Sequence, residues 1–439
     1  MVLVAKRSGN VLAAIFAVVI LAVVILAWSG IALSAAPASQ QDYEAAEAKY
    51  TTTLAACGNC PELAAILNNL GGLYYTTGRY AEAGVLYQRA LSLREAQAGA
   101  TALALLPPLN NLALLHRETA DYAHARKYAE LAVSIVDLNQ AAESADGAAS
   151  FANLGAILEV QGEIGDAKKW LERALAIRER VLGVRHLLVA ETLSDLALAF
   201  RQEGKLKQAA EFYQRALSIY EASADLGKWN LSGVLNNLGQ LLVQQGRLKE
   251  AETLFRRAIT ESERQFGPRH PNVAAALANL ANVLGSRHKY GDAEELLHRA
   301  EEIDRHSFSP QHPRIAYDLS VEAALLFDRK KYASAETLLN DAMAILVKCF
   351  PATHPQIGKV TADLAEVYLR QNRMVEAESA FAKALAILEP AFGPENPLLL
   401  PTLQDYALLL RARQDYAKAA SLDARVMKIR VTQTLRGNV

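Results

Sequence analysis

Alanine recurs at Ala83, Ala125, Ala167, Ala209, Ala251, Ala293, Ala335, Ala377 and Ala419, each 42 residues after the last. Seven residues behind it runs a second series, Ala90, Ala132, Ala174, Ala216, Ala258, Ala300, Ala342 and Ala384, with Val426 in the ninth place. A period of this length means a repeat array, in which each unit buries its apolar face only against its neighbours. A third column, 13 residues before the first alanine, reads Leu70, Leu112, Leu154, Leu196, Leu238, Leu280, Glu322, Leu364 and Tyr406. Within the fifth unit, Leu235, Leu238, Leu241 and Leu242 share one helical face; Gly246 interrupts, and Leu248, Ala251, Leu254, Phe255 and Ala258 resume it. Each unit therefore reads as a helical hairpin. Alanine and leucine dominate and only 7% of residues are aromatic, so the fold class is all-α.

Close packing explains the columns. The paired alanines stand where the second helix meets its neighbours, and larger side chains would force axes beyond the usual ~8–10 Å at about 1–3 kcal/mol. At the turn, Gly78, Gly162, Gly204 and Gly246 suit a left-handed helix cap, as does Asn372, whereas Ala120, His288, Lys330 and Gln414 must strain to adopt it. Two residues on, Tyr80, Tyr122, Tyr290, Tyr332 and Tyr416 alternate with Ile164, Leu206, Leu248 and Met374 as the wedge of the second helix.

Leu70, Gly71, Tyr74, Gly78, Tyr80, Ala83 and Ala90 together resemble the tetratricopeptide repeat, and the resemblance covers Pro61 to Arg430. The period exceeds the family's usual one, with the extra residues lying between hairpins. There, Phe266-Gly267-Pro268-Arg269-His270-Pro271, Gln311-His312-Pro313, Thr353-His354-Pro355 and Phe392-Gly393-Pro394-Glu395-Asn396-Pro397 resemble the linkers of the kinesin light chain subfamily. The resemblance implies a right-handed superhelical solenoid whose first helices line a concave peptide-binding groove.

Val11 to Trp28 carry no charge, and apolar character resumes through Leu33, a length that crosses a bilayer core of about 30 Å. Lys6 and Arg7 precede the segment and the next cation is Lys49, so residues 1–10 are expected in the cytoplasm, a transmembrane signal-anchor at 11–33, and the repeats on the far side. Ala36-Pro37-Ala38 fits a cleavage site, which keeps secretion after Ala38 as the alternative. A short tether at 34–41 leads to a capping half-repeat at 42–60, in which Tyr43, Ala46, Tyr50 and Leu54 reproduce Tyr80, Ala83, Tyr87 and Leu91. Nine repeats then fill 61–430, followed by a tail at 431–439.

The column preceding the register leucine is Asn69, Asn111, Asn153, Asp195, Asn237, Asn279, Val321, Asp363 and Asp405. Asn and Asp are mediocre helix formers and gain from repetition only when they meet polar partners. Two readings stand: the resemblance implies that these side chains hydrogen-bond a bound peptide's backbone, or they bond the adjacent repeat and hold the stack. Cys57-Gly58-Asn59-Cys60 has thiol-redox spacing but lies between helical hairpins instead of following a strand. A disulfide stapling the cap to the first repeat is the simpler expectation, with a thiol–disulfide oxidoreductase as its rival. His270, His312 and His354 occupy equivalent places in stacked units, too far apart to share one ion, and they introduce the helices that begin at Pro271, Pro313 and Pro355. No metal or cofactor site is predicted.

With 46 basic and 47 acidic residues and no basic stripe, a nucleic-acid partner is not expected. The expected function is a membrane-anchored, extracytoplasmic scaffold binding proteins or peptide segments, and not an enzyme. A structural solenoid that self-associates through its ends is the further alternative.

Overall fold

The computed structural model describes residues 40–57, 60, 62–223 and 230–437. The expected membrane segment at 11–33, the cytoplasmic residues before it and the Ala38 site fall outside these. Among the described residues no helix is long and apolar enough to cross a membrane. Nineteen α-helices and no strand occur there. Helix α1 (Gln40–Cys57) is the cap. Nine hairpins follow: α2 (Leu63–Thr76) with α3 (Tyr80–Ala98), α4 (Leu106–Glu118) with α5 (Tyr122–Leu138), α6 (Ala145–Val160) with α7 (Ile164–Leu182), α8 (Leu187–Gln202) with α9 (Leu206–Ala222), and α10 (Leu231–Gln244) with α11 (Leu248–Phe266). The array continues through α12 (Pro271–Ser286) and α13 (Tyr290–Ser307), α14 (Pro313–Asp328) and α15 (Tyr332–Cys349), α16 (Pro355–Arg370) and α17 (Met374–Phe392), and α18 (Leu400–Ala412) and α19 (Tyr416–Gly437). The last helix thus runs on through residues 431–437, which continue the ninth hairpin where the sequence reading had a separate tail.

Both alanine columns are closed to solvent: every alanine in them is at most 2% exposed, and Val426 is buried as well. Each described turn residue is left-handed, including those without glycine's freedom, at φ 61° for Ala120, 60° for His288 and Lys330, 63° for Asn372 and 61° for Gln414. The hydrogen bonds of the turn explain why it is kept. Gly78 N–H donates to the Tyr75 carbonyl at 3.1 Å and Arg79 N–H to the Tyr74 carbonyl at 2.8 Å, taking up two carbonyls that the end of α2 leaves open.

First and second helices differ in exposure. All residues of α12 from Pro271 to Ser286 are buried, whereas its predecessor α11 buries Ala251, Phe255 and Ala258 on one face and shows Arg256 and Arg257 on the other. First helices therefore form the inside of the coil. On the outer face, Arg215–Glu179, Arg257–Glu221, Arg299–Glu263 and Arg425–Glu389 pair across successive repeats at 2.5–2.8 Å, with exposures at which such pairs add little stability.

The coil also closes on itself. His270 Nε2 lies 2.9 Å from the Thr76 carbonyl, His312 Nε2 2.6 Å from that of Glu118, and His354 Nε2 2.8 Å from that of Val160, each pair 194 residues apart. Asn396 Nδ2 makes the same contact with the Gln202 carbonyl at 2.7 Å, again across 194 residues. Repeats six to nine thereby sit on repeats one to four. The imidazole tautomer follows from the other nitrogen: Nδ1 accepts the backbone N–H of Asn272, Arg314 or Gln356 at 3.1–3.3 Å, so the ring hydrogen is on Nε2, which donates. Asn396 matches this chemistry, its Oδ1 accepting Leu398 N–H at 2.9 Å. One side chain thus satisfies an open N–H at the start of one helix and an open carbonyl at the end of another.

Aromatic rings reinforce the joint. Phe308 stacks on His312 at 4.1 Å and on Tyr80 of the lower turn at 5.7 Å; Phe350 stacks likewise on His354 at 3.8 Å and on Tyr122 at 5.1 Å. Turn glycines of the lower turn face the prolines of the upper one, and a Cβ on Gly204 would lie 2.6 Å from Pro397 Cδ. Gly246, in the fifth repeat, has nothing within 4 Å among the described residues. The two glycines share a left-handed φ of 73° and 76°, so alanine at either costs about 1–2 kcal/mol of backbone strain. Gly204→Ala is expected to cost more than Gly246→Ala by the clash with Pro397, read as a lower urea midpoint; equal losses would mean that the turns do not touch.

Candidate ligand-binding interior

Turn-on-turn closure decides where the Asn/Asp column lies. Asn69 is half-buried near the N-terminal end, while Asn111, Asn153, Asp195, Asn237, Asn279, Asp363 and Asp405 are 1–6% exposed. Of the two readings of this column, contact with a ligand in a concave groove and bonding to the adjacent repeat, neither is excluded by the burial of these side chains on the inside of the coil. Two members bond within the stack: Asn111 Nδ2 donates to Asn68 Oδ1 and Asn279 Nδ2 to Asn236 Oδ1, both at 2.9 Å, and Tyr317 OH donates to Asn279 Oδ1. In five others one side-chain atom is buried with no hydrogen-bond partner among the described residues: Asn153 Nδ2, Asp195 Oδ1, Asn237 Oδ1, Asp363 Oδ1 and Asp405 Oδ2; so are both side-chain polar atoms of Gln240 and of Gln244.

Charges share this interior. Arg117, Glu159 and Arg201 occupy the same place in three successive first helices and alternate in sign, and all three are buried. Between them and the upper turn lies a cavity of about 80 Å³, lined by Glu118, Gln202, His312, His354 and Lys359 as well. Glu118 Oε1 and the Nε and Nη1 of Arg201 are buried there without a hydrogen-bond partner. Burial pushes the Glu159 carboxyl up to about 8, aided by Asp195, and that of Glu118 up to about 7. Burial likewise raises Asp195 to about 7, Glu191 to about 8 and Asp363 to about 8, and lowers the Lys359 ammonium to about 7. Farther along, Arg314 grips Asp304 through two nitrogens at 2.9 and 3.2 Å, both side chains being almost fully buried.

A second concavity is apolar and open. About 910 Å³ is bounded by Tyr80, Gly84 and Val85 of α3, Leu112, Leu115 and His116 of α4, and Phe308 of the upper turn. Val85 is 69% exposed at its edge. At the N-terminal end, Cys57 and Cys60 are joined as a disulfide with their Cα atoms 5.2 Å apart, and both pack against Leu63, Leu67 and Ala90 of the first repeat. Cys349 is the free cysteine; its Sγ donates to the Gln311 carbonyl at 3.1 Å.

The Tetratricopeptide repeat family profile matches residues 25–96, 62–137, 147–222, 231–305, 278–348 and 356–430. The chain belongs to the tetratricopeptide repeat family. Such repeats support a protein–protein interaction scaffold. Among solved structures, a Rap protein complexed with Competence and Sporulation Factor aligns at TM-score 0.62 and 16% identity, over 85% of this chain and 99% of that one, and shows the same fold. BtubC (BKLC) from P. vanneervenii aligns at TM-score 0.39 and 22% identity over 54% of this chain and 92% of its own. The nearly identical kinesin light chain TPR-like repeats of Podosopora anserina align at 0.36 and 20%, over 46% and 96%. No curated protein matches the sequence.

Within this tetratricopeptide solenoid, the sequence reading found the Asn/Asp column but missed the buried charges. Their signal was the column Arg117, Glu159, Arg201, polar residues inside otherwise apolar first helices. Their titration gives a test. The carboxyls are raised in the folded state, so they bind protons more tightly folded than unfolded, and their stabilisation is lost as pH rises through about 7 to 8. Lys359 is lowered to about 7 and acts in the opposite sense above that pH; the histidines of the seam, lowered to about 3–4, act only below the ordinary His range. The melting temperature is therefore expected to fall between about pH 6.5 and 8, and Glu159→Gln to flatten that fall. A profile rising over the same window would contradict the assignment.

Proposed function

We propose that the protein is a membrane-anchored, extracytoplasmic scaffold that takes an extended segment of a partner protein into the interior of its coil. The observation that carries this reading is the line of buried Asn, Asp and Gln atoms without partners, from Asn153 through Asn237 to Asp405. A buried polar group left unpaired costs about 1–3 kcal/mol, and a peptide backbone offers donors and acceptors that relieve it. The Rap protein of the same fold is known in complex with Competence and Sporulation Factor, which supports a ligand-holding use of such a coil. Access requires the two turns to part, so binding is coupled to the seam at His270, His312, His354 and Asn396. The cationic residues before the apolar segment, with none between it and Lys49, support export of the repeats. The Cys57–Cys60 disulfide suits an oxidising compartment, where its place against the first repeat makes it a staple.

The apolar groove beside Val85 favours a second reading, in which partners dock on the outside. Crosslinking and affinity purification from native membranes separates the two. Asn153→Ala with Asn237→Ala removes two buried amides, each with one unpaired atom, so the double variant is expected to fold, which thermal melting verifies. Partner recovery is expected to fall roughly 5- to 150-fold, the loss of two hydrogen bonds at about 0.5–1.5 kcal/mol each. If Val85→Glu abolishes recovery and the double variant does not, the groove is the binding site. Thiol labelling of unreduced protein from cells should modify Cys349 alone; adducts on Cys57 and Cys60 would contradict the exported location.

A further inference from the structure

Three positions in the second repeat depart from the commonest residue type of their columns, and the fold brings the three together. His116 stands in a column that is otherwise Tyr74, Leu158, Phe200, Leu242, Leu284, Leu326, Tyr368 and Leu410. Asp121 stands where six other repeats carry Arg or Lys, namely Arg79, Lys205, Arg247, Lys289, Lys331 and Arg373; Glu163 and Asp415 share its acidic character, but only Asp121 has imidazoles at both of the other two positions. His124 replaces a column rich in carboxylates, among them Glu82, Glu250 and Glu376. In the first, fifth and eighth repeats that arrangement makes an Arg–Glu pair across the start of the second helix, at 2.5–2.6 Å. The second repeat has exchanged it for two imidazoles around one carboxylate.

The geometry is close to that of a metal centre. Asp121 Oδ2 lies 3.1 Å from His116 Nδ1 and 2.8 Å from His124 Nδ1, and one ligand atom from each residue falls within 4.8 Å of the other two. Three ligands about 2.0–2.1 Å from a tetrahedral zinc ion stand roughly 3.3 Å apart, a spacing that the two Asp121 pairs approach and that rotation of the imidazole and carboxylate side chains would complete. The hairpin fixes all three. His116 lies in the last turn of α4 and Asp121 caps α5, with Asp121 N–H donating to the His116 carbonyl at 2.8 Å across the left-handed Ala120. The His116 ring is further held by stacking on Tyr128 at 5.4 Å.

We propose that His116, Asp121 and His124 form a binding site for a zinc-class divalent cation on the outer end of the second hairpin. The two imidazoles bind through Nδ1, each shifting its ring hydrogen to Nε2, and the carboxylate supplies the third ligand. Three protein ligands leave a fourth position for water or for a side chain of a docked protein, and His116 itself borders the apolar groove described above. Imidazole ligands select zinc, copper or nickel over magnesium and calcium, which require oxygen shells. The inference is independent of how the interior is used.

Calorimetric titration of the full-length protein with Zn²⁺ tests it, against a variant carrying His116→Leu and Asp121→Lys. Both substitutions restore residues that other repeats hold in the same columns, so the hairpin is expected to fold, which thermal melting verifies. Wild type is expected to bind one Zn²⁺ per chain that Mg²⁺ does not displace, and its melting temperature to rise with Zn²⁺. The variant is expected to lose that equivalent, or to bind it at least roughly 10- to 100-fold more weakly, with no rise in melting temperature. Equal Zn²⁺ binding by both proteins, or no binding by wild type, overturns the site.

Discussion

A single side chain that serves two helix ends holds this solenoid in its wound form. Each of His270, His312, His354 and Asn396 takes a free N–H at the start of its own helix and gives a hydrogen to a free carbonyl at the end of another, 194 residues earlier. Helix termini supply such unsatisfied groups in any hairpin array. The linker places a donor and an acceptor on one rigid group between them. His186, in the same column of the fourth repeat, caps its own helix through Nδ1 at 3.2 Å and meets no lower turn among the described residues, so it shows the cap without the clasp.

Closure has a cost that the interior displays. The wound coil keeps Arg117, Glu159, Asp195, Arg201, Lys359 and Asp363 buried. Raised carboxyl pKa values and unpaired Asn and Gln atoms are the electrostatic and hydrogen-bonding consequences of that enclosure. Closed and open windings then differ by opposing terms: seam bonds and aromatic stacks favour closure, while interior desolvation favours opening. Under the proposed function, a partner segment that pairs the interior groups acts on that balance.

Repeat grammar was legible because it is local. The alanine columns, the left-handed turns and the wedge tyrosines each answer to packing within a hairpin or between neighbours, and a 42-residue period exposes them. Pro271, Pro313 and Pro355 announced helix starts for the same reason. The clasp was not legible, since nothing in a single linker records which carbonyl lies above or below it; that depends on the pitch summed over more than four repeats. Burial of the Asn/Asp column was hidden with it, because Asn153 looks the same in an open groove and in a closed interior. The two histidines of the cluster His116, Asp121 and His124 depart visibly from their columns, but only the hairpin geometry shows that the three residues converge.

Pulsed electron paramagnetic resonance across the seam tests closure most directly. Spin labels at Thr119→Cys and Gln311→Cys, with the native cysteines replaced, flank the Glu118–His312 clasp at exposed positions. A closed seam gives one short, narrow distance distribution that persists in His312→Asn, which keeps a donor and an acceptor, and that lengthens or broadens in His312→Ala. A long distance in the unsubstituted seam would show that the turns stand apart, and would contradict the account.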